Sequence, residues 1–483
     1  MEERRDSVLS LRRRTTKVIQ RLIAVPLVFL GVAAYRAWLA IFFRYDVFES
    51  VGTFDYFLFE GAIGLASFAL AFAAARITPL WANRPMRFTC ALLMAGGSVL
   101  LLAQNGNVLP DVAKIIGLVC AGAGLAVLIL MWAEFYGSIN PMRVAVYHAL
   151  AIFTGEFLKW LFMGLHPAYL SFFAIALPLL SLVQVRMSME RLEHADRPAP
   201  PKRDAKRVFP WKPILLMSVC TFAGGFGAFP AQALLAGNVV GAMAVCALVV
   251  AGVFSQARWF NFDTVYQLAF PFFIVGFLLV SPWASGNPQL MALCYDAGYT
   301  MLSMFIMLIM SNITYRFGIS AVWLNGIERG IRYVVELAGW GFGALVSARA
   351  ATSVAEVVFT VMTLALIAIF IVVFASERNL SARWGITSTA FGDDETDAMG
   401  YTALRVSDLS RAHGLTPREE EVLQLMVRNK SVPDMESELF VAAGTIKAHI
   451  NHIYRKFGVH SRHELFAIIG ASEERTNHAC TGR

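Results

Sequence analysis

Apolar residues dominate the first 375 positions of this 483-residue chain in long runs, and polar residues take over after Phe374. The runs fall at about 22–43, 56–75, 88–103, 112–132, 144–165 and 168–185. A polar, proline-rich interval at 186–213 follows, and then runs at about 214–236, 239–255, 265–283, 289–311, 319–346 and 354–375. Most exceed the roughly 17 residues that a helix rising about 1.5 Å per residue needs to cross a hydrocarbon layer. The pattern predicts an all-α bundle of about twelve membrane spans, two sets of six (22–375), behind a basic tail at 1–21.

The pattern then changes twice. Residues 376–414 are polar, with Asp393, Asp394, Glu395 and Asp397 in a run, and read as a flexible cytoplasmic linker. From Leu415 to about Ala471 the apolar positions recur at helical spacing in short segments, leaving a tail at 472–483. Thr416, Pro417 and Glu419 make a capping box for a first helix carrying Val422, Leu423, Leu425 and Met426 inward, with Asn429 as its terminator. Ser431 with Asp434 opens a second helix to about Leu439. A third runs from about Ala443 to Phe457 with Ile446, Ile450, Ile453 and Phe457 on its apolar face. Ser461 with Glu464 opens a fourth, with Leu465, Ile468 and Ile469 turned inward.

The third helix has a chemically distinct opposite face. Thr445, Lys447, Ala448, Asn451, His452 and Arg455 lie there, with Lys456 beside them. Cations, an amide and a small residue on a helix of this length suit a DNA major groove. The acids crowd into the first two helices instead, so the basic footprint is a face and not a net excess.

LTPREEEVL and GTIKAHINHIYRKFGVHSR, at this separation, resemble the LuxR-type helix-turn-helix of bacterial transcription regulators. The resemblance implies that the third helix enters the major groove of double-stranded DNA, with Lys447, Ala448 and Asn451 facing base edges. It implies phosphate contacts for Thr445, His452, Arg455 and Lys456, and a homodimer contact through Ser461 to about Ala471. Three positions depart from the family pattern: Ala442 stands where a capping Ser is usual, Glu436 replaces a small residue, and Phe457 replaces Leu.

Composition agrees with a membrane protein: 57% of residues are hydrophobic, 16% are charged, and the mean hydropathy is +0.58. The net charge of +7 is informative by its location. Lys and Arg gather in the N-terminal tail, in the 76–87 loop and above all in 186–213, which places both termini in the cytoplasm of a bacterial inner membrane. A DNA reader at the C-terminus requires the same side. None of the six cysteines forms a C-x-x-C pair. His449 and His452 sit on the helix assigned to DNA, so no metal and no cofactor is expected.

Six spans, a basic loop and six more spans resemble the major facilitator architecture in topology. The loop RITPLWANRPMRF lacks the Gly and Asp usual between the second and third spans of that family, which counts against transport. Ionisable residues inside spans are costly and mark ligand sites by default. Arg36, Glu60, Glu156, Lys159, Asp296, Arg332 and Glu336 are the candidates, with Glu134, Glu328, Arg329 and Glu356 also within or at the ends of apolar runs. Glu134 and Glu356 lie near span ends and suit an interfacial position. Glu156 with Lys159, Glu328 with Arg332, and Arg332 with Glu336 have the spacing for pairs that simply neutralise each other.

No P-loop, G-x-S-x-G elbow or zinc helix is present, and no enzyme is expected. The leading expectation is a membrane-bound one-component transcription regulator whose bundle senses an unknown small molecule. A secondary transporter with a regulatory or vestigial tail is the alternative, and a tail that has become a protein-interaction module is a third.

Overall fold

The computed structural model describes residues 26–43, 53–139, 141–192, 239–255, 288–317, 319–349, 413–427, 431–439 and 441–469, with isolated positions inside 210–226, 358–365 and 406–410. The basic tail, the run at 265–283, most of 214–236 and 354–375, nearly all of the 376–414 linker, Asn429, Glu356 and the 472–483 tail lie outside the described residues. The chain divides into two units, Met1–Ile386 and Thr387–Arg483.

In the first unit, the 3₁₀ turn Leu27–Leu30 leads into α1 (Val32–Phe43), followed by α2 (Thr53–Ile77), α3 (Arg84–Asn105), α4 (Asp111–Tyr136), α5 (Pro141–Phe162) and α6 (Pro167–Arg191). Then come α7 (Val240–Ser255), α8 (Pro288–Phe317) and α9 (Ala321–Arg349). Each expected run in the described part falls on one of these helices. Local chemistry sets several ends. Asn83 accepts from the Met86 N–H to open α3, and His166 accepts from the Ala168 N–H to open α6, where Pro167 takes the first helical position.

Among the described residues, five helices are long and apolar enough to cross a membrane: Phe54–Ile77, Arg84–Asn105, Asp111–Tyr136, Pro167–Arg191 and Ala292–Tyr315. Leu27–Phe43 and Val240–Gly252 are shorter apolar helices. In α9, Glu328, Arg329, Arg332 and Glu336 fall within nine residues, and this helix stands outside the set of five. The count of twelve spans rests on the sequence pattern alone.

Small residues let the helices approach closely. A Cβ on Gly97 of α3 would lie 2.8 Å from the Gly117 carbonyl oxygen of α4, so only glycine fits that crossing. One expectation changes. Glu134, read as interfacial, is buried, and its carboxylate accepts from the Leu80 and Trp81 N–H groups at 2.8 and 3.0 Å. It ties the α2–α3 turn to the end of α4.

The second unit contains α10 (Pro417–Val427), α11 (Val432–Leu439), α12 (Ala443–Phe457) and α13 (Arg462–Ile469). Leu423, Met435, Ile446, Ile453, Leu465 and Ile469 meet in one core. Leu465 and Ile469 turn inward as expected, and Phe466 joins them; Ile468 does not, being 38% exposed. Positions 465 and 469 are one turn apart on one stripe, and 468 falls beside it.

Candidate functional site

The DNA-facing candidates sit on α12. Its apolar stripe recurs at four, three and four residues, with Ile446, Ile453 and Phe457 buried and Ile450 half-buried. That stripe anchors the helix to the core and turns Thr445, Lys447, Ala448, Asn451, His452 and Arg455 outward, where all six are exposed. The helix ends at Gly458, whose φ of 68° takes the left-handed conformation that favours glycine, and its N–H bonds back to the last turn.

Two departures from the family pattern compensate each other. Ala442 precedes α12 and offers no side-chain cap. Glu436, on α11, accepts from the Ala443 N–H at 2.7 Å, at the helix end where a negative charge is favourable. Glu436→Ala is therefore expected to lower the stability of this unit by about 1 kcal/mol, with Ala442→Ser restoring much of it. Urea unfolding of residues 387–483 checks both. The third departure, Phe457, stacks on the His413 ring with centroids 4.3 Å apart.

Glu419 organises the end of α10. Its Oε2 accepts from the Thr416 N–H at 2.7 Å, the Thr416 hydroxyl at 2.9 Å and the Lys456 ammonium at 2.7 Å. The Glu419 N–H returns a longer bond to the Thr416 hydroxyl, completing the expected capping box. Lys456 also donates to the Gly414 carbonyl at 2.9 Å. Its ammonium thus fastens α12 to the chain leading into α10, a role the sequence reading did not assign. The box at Ser461 forms in a shifted way: Ser461 accepts from the Glu464 N–H, while the Glu464 carboxylate accepts from the His460 N–H.

Desolvation pushes the Glu419 carboxyl up, but the Lys456 ammonium and the Thr416 donors outweigh it and hold the pKa at about 2, below the ordinary 4.5. A depressed carboxylate contributes stability that is full above about 4.5 and is lost as pH falls towards about 2. Residues 387–483 should lose stability across that window. Glu419→Gln should be less stable at neutral pH and respond less to acid, as thermal unfolding at stepped pH will read.

Glu419, His449 and His452 each offer a ligand atom, and these atoms lie within 4.8 Å of one another, so the three side chains could hold a metal ion. His452 Nδ1 is 3.6 Å from Glu419 Oε1.

In the bundle, the structure gathers the ionisable candidates into three groups. Glu156 accepts from Arg36 at 2.6 Å and from Lys159 at 2.7 Å. Glu328 pairs with Arg332 one turn later and lies 3.5 Å from Arg329, while Arg332 also donates to the Ser303 hydroxyl at 3.4 Å. Glu60 and Glu336 lie near enough to act on each other, among Tyr56, Tyr295, Tyr299 and Tyr333. Asp296 accepts from the Ala242 N–H at 2.9 Å and stands in the field of Arg36. Tyr136, His148, Ser311 and Thr314 are buried or half-buried polar neighbours that the sequence reading missed; uncharged polar residues inside apolar runs were the available signal.

Residues 413–469 match the family described as bacterial regulatory proteins, luxR family. Over 60 residues the chain is 45% identical to the HTH-type transcriptional regulator MalT of Yersinia pestis (strain Pestoides F) and, equally, of Serratia proteamaculans (strain 568). That match spans 12% of this chain and 7% of the relatives' length. The second unit thus carries a LuxR-type helix-turn-helix, and the match leaves the bundle unassigned. Among solved structures, a bacterial homologue of the iron transporter ferroportin in an outward-facing state aligns at 13% identity with a TM-score of 0.49, covering 72% of this chain and 96% of that one. The E. coli fucose:proton symporter FucP aligns at 15% identity with a TM-score of 0.45, covering 73% and 97%.

Proposed function

We propose that this chain is a membrane-bound one-component transcription regulator. One observation carries the reading: the exposed face of α12, bearing Lys447, Asn451 and Arg455 on a LuxR-type domain, shares a chain with helices long and apolar enough to cross a membrane. Lys447, Ala448 and Asn451 meet base edges in the major groove; Thr445, His452 and Arg455 meet phosphates. Lys456 holds α12 in place through Glu419 and adds its charge to the same footprint. Two copies pair through α13 on DNA, where the exposed Ile468 supplies apolar surface.

The bundle senses a small molecule in a bacterial inner membrane, with both termini cytoplasmic. For the ligand to change DNA binding it must bind two bundle states with different affinity. Detergent-purified full-length protein, mixed with sheared genomic DNA of its host, should retain a discrete set of fragments; retention no different from bulk DNA would contradict the proposal.

The buried ion pairs of α5 and α9 favour a second reading, a secondary transporter with a regulatory or vestigial tail. Solute or proton flux in proteoliposomes, lost in Glu156→Gln, would support it.

A further inference from the structure

Native proteins leave few buried polar atoms without a partner, and each calls for an explanation. Among the described residues, six of the bundle's buried polar atoms of this kind come from five helices: Arg36 Nε (α1), Tyr136 Oη (α4), His148 Nδ1 (α5), Ser311 Oγ and Thr314 Oγ1 (α8), and Arg329 Nε (α9). They are linked in space. The Tyr136 and His148 rings meet edge to face at 5.1 Å between centroids. The next residue, Gly137, abuts Thr314: a Cβ built on it would lie 2.6 Å from Thr314 Cγ2. Ser311 lies one turn before Thr314. Arg36, Arg329 and Arg332 are all close enough to act electrostatically on both Tyr35 and His148.

The two hydroxyls are unusual for this chain. A helical Ser or Thr ordinarily satisfies itself on the carbonyl four residues back. Ser98, Ser138, Thr154, Ser188, Ser218 and Thr221 all do so here, at 2.6–2.9 Å. Ser311 and Thr314 do not. Their hydroxyls remain available to a guest.

The donors left over indicate what kind of guest. Glu156 is shared by Arg36 and Lys159, and Glu328 by Arg329 and Arg332. Asp296 also acts on Arg36, and Glu336 on Arg332, so cations and carboxylates balance across these clusters and the guest is read from the arginine donors left over. Arg329 is near Glu328 without hydrogen-bonding through Nε, so it keeps a donor for a second acceptor. Glu60, Glu336 and Asp296 border the region and repel an anion from their side, which directs it to the arginines.

We propose that these atoms line a site for a small hydroxylated carboxylate, its carboxylate taken by the Nε–H groups of Arg36 and Arg329 and its hydroxyls by Tyr136, His148, Ser311 and Thr314. Guanidinium donors are suited to carboxylate oxygens, and at such depth the pairing is screened little by solvent. The inference rests on the reading of the bundle as a small-molecule sensor.

The test follows thermal unfolding of the detergent-purified full-length protein by tryptophan fluorescence, with gluconate, lactate, acetate and sorbitol as probes. Gluconate or lactate should raise the midpoint in proportion to the logarithm of concentration, acetate should act more weakly, and sorbitol should do nothing. Arg329→Gln should weaken the effective acid at least tenfold. Ser311→Ala with Thr314→Val should narrow its advantage over acetate. Sorbitol acting as well as gluconate, an acid response that survives Arg329→Gln, or no response to any probe would overturn the proposal. Should a variant fail to fold, equilibrium dialysis of labelled gluconate against wild-type protein, competed by lactate or sorbitol, decides the same question. Retention of genomic DNA in the same samples separates the two readings. An acid that binds without changing retention removes the sensor and keeps the site; an uncharged solute that changes retention removes the carboxylate site and keeps the sensor.

Discussion

Lys447→Ala is expected to weaken DNA binding by this chain by about 1–3 kcal/mol, roughly 5- to 150-fold. Lys447 stands in the exposed first half of α12, the part of a recognition helix that reaches base edges. Its side chain lies off the apolar stripe of Ile446 and Ile453, so the substitution should leave folding unchanged. The amide one turn later is tested separately: Asn451→Ala removes a group able to pair with adenine and should relax base preference more than affinity. Fluorescence anisotropy with fragments retained by the wild-type protein, across a salt series, reads both. Unchanged affinity in both variants would mean that another face of the domain meets DNA. Lys456→Ala should behave differently, losing stability along with affinity, because its ammonium fastens Gly414 and Glu419.

The second large effect is expected in the bundle. Arg332→Met removes the main partner of Glu328, and both side chains are only 2% exposed. An unpaired buried carboxylate is far costlier than the pair was favourable, so the loss should be about 3–5 kcal/mol. Replacing both, Glu328→Leu with Arg332→Met, should recover part of that loss, since the central pair is then apolar and only Arg329 is left without Glu328. Midpoints of thermal unfolding in detergent for the two single variants and the double variant measure the coupling. If the double variant were no more stable than Arg332→Met, the pair would not be the element that neutralises this part of α9.

Local chemistry made the helix-turn-helix readable in sequence. Capping at Thr416 and the stripe from Ile446 to Phe457 act within one or two turns, so spacing alone locates them. The contacts that escaped are tertiary. Glu436 caps α12 from seven residues away, and Lys456 reaches Glu419 across 37 positions, so both looked like surface charges. Ile468 was misplaced because helical spacing admits 465 with either 468 or 469, and only packing chooses. In the bundle, Glu156 and Arg332 were legible because charge in hydrocarbon is conspicuous. Ser311 and Thr314 were not, because helical hydroxyls usually bond their own backbone and only the folded arrangement reveals the exceptions. Glu134 read as interfacial for a related reason: its partners, the Leu80 and Trp81 N–H groups, lie in a turn more than fifty residues earlier.

The most direct test of the central claim is chromatin occupancy of the full-length protein in its own host, with Lys447→Ala as the control. Discrete sites should appear with the wild-type protein and disappear in the variant, while the protein remains in the membrane fraction. Occupancy no higher than the control under several growth conditions would contradict it and leave the transporter as the better reading.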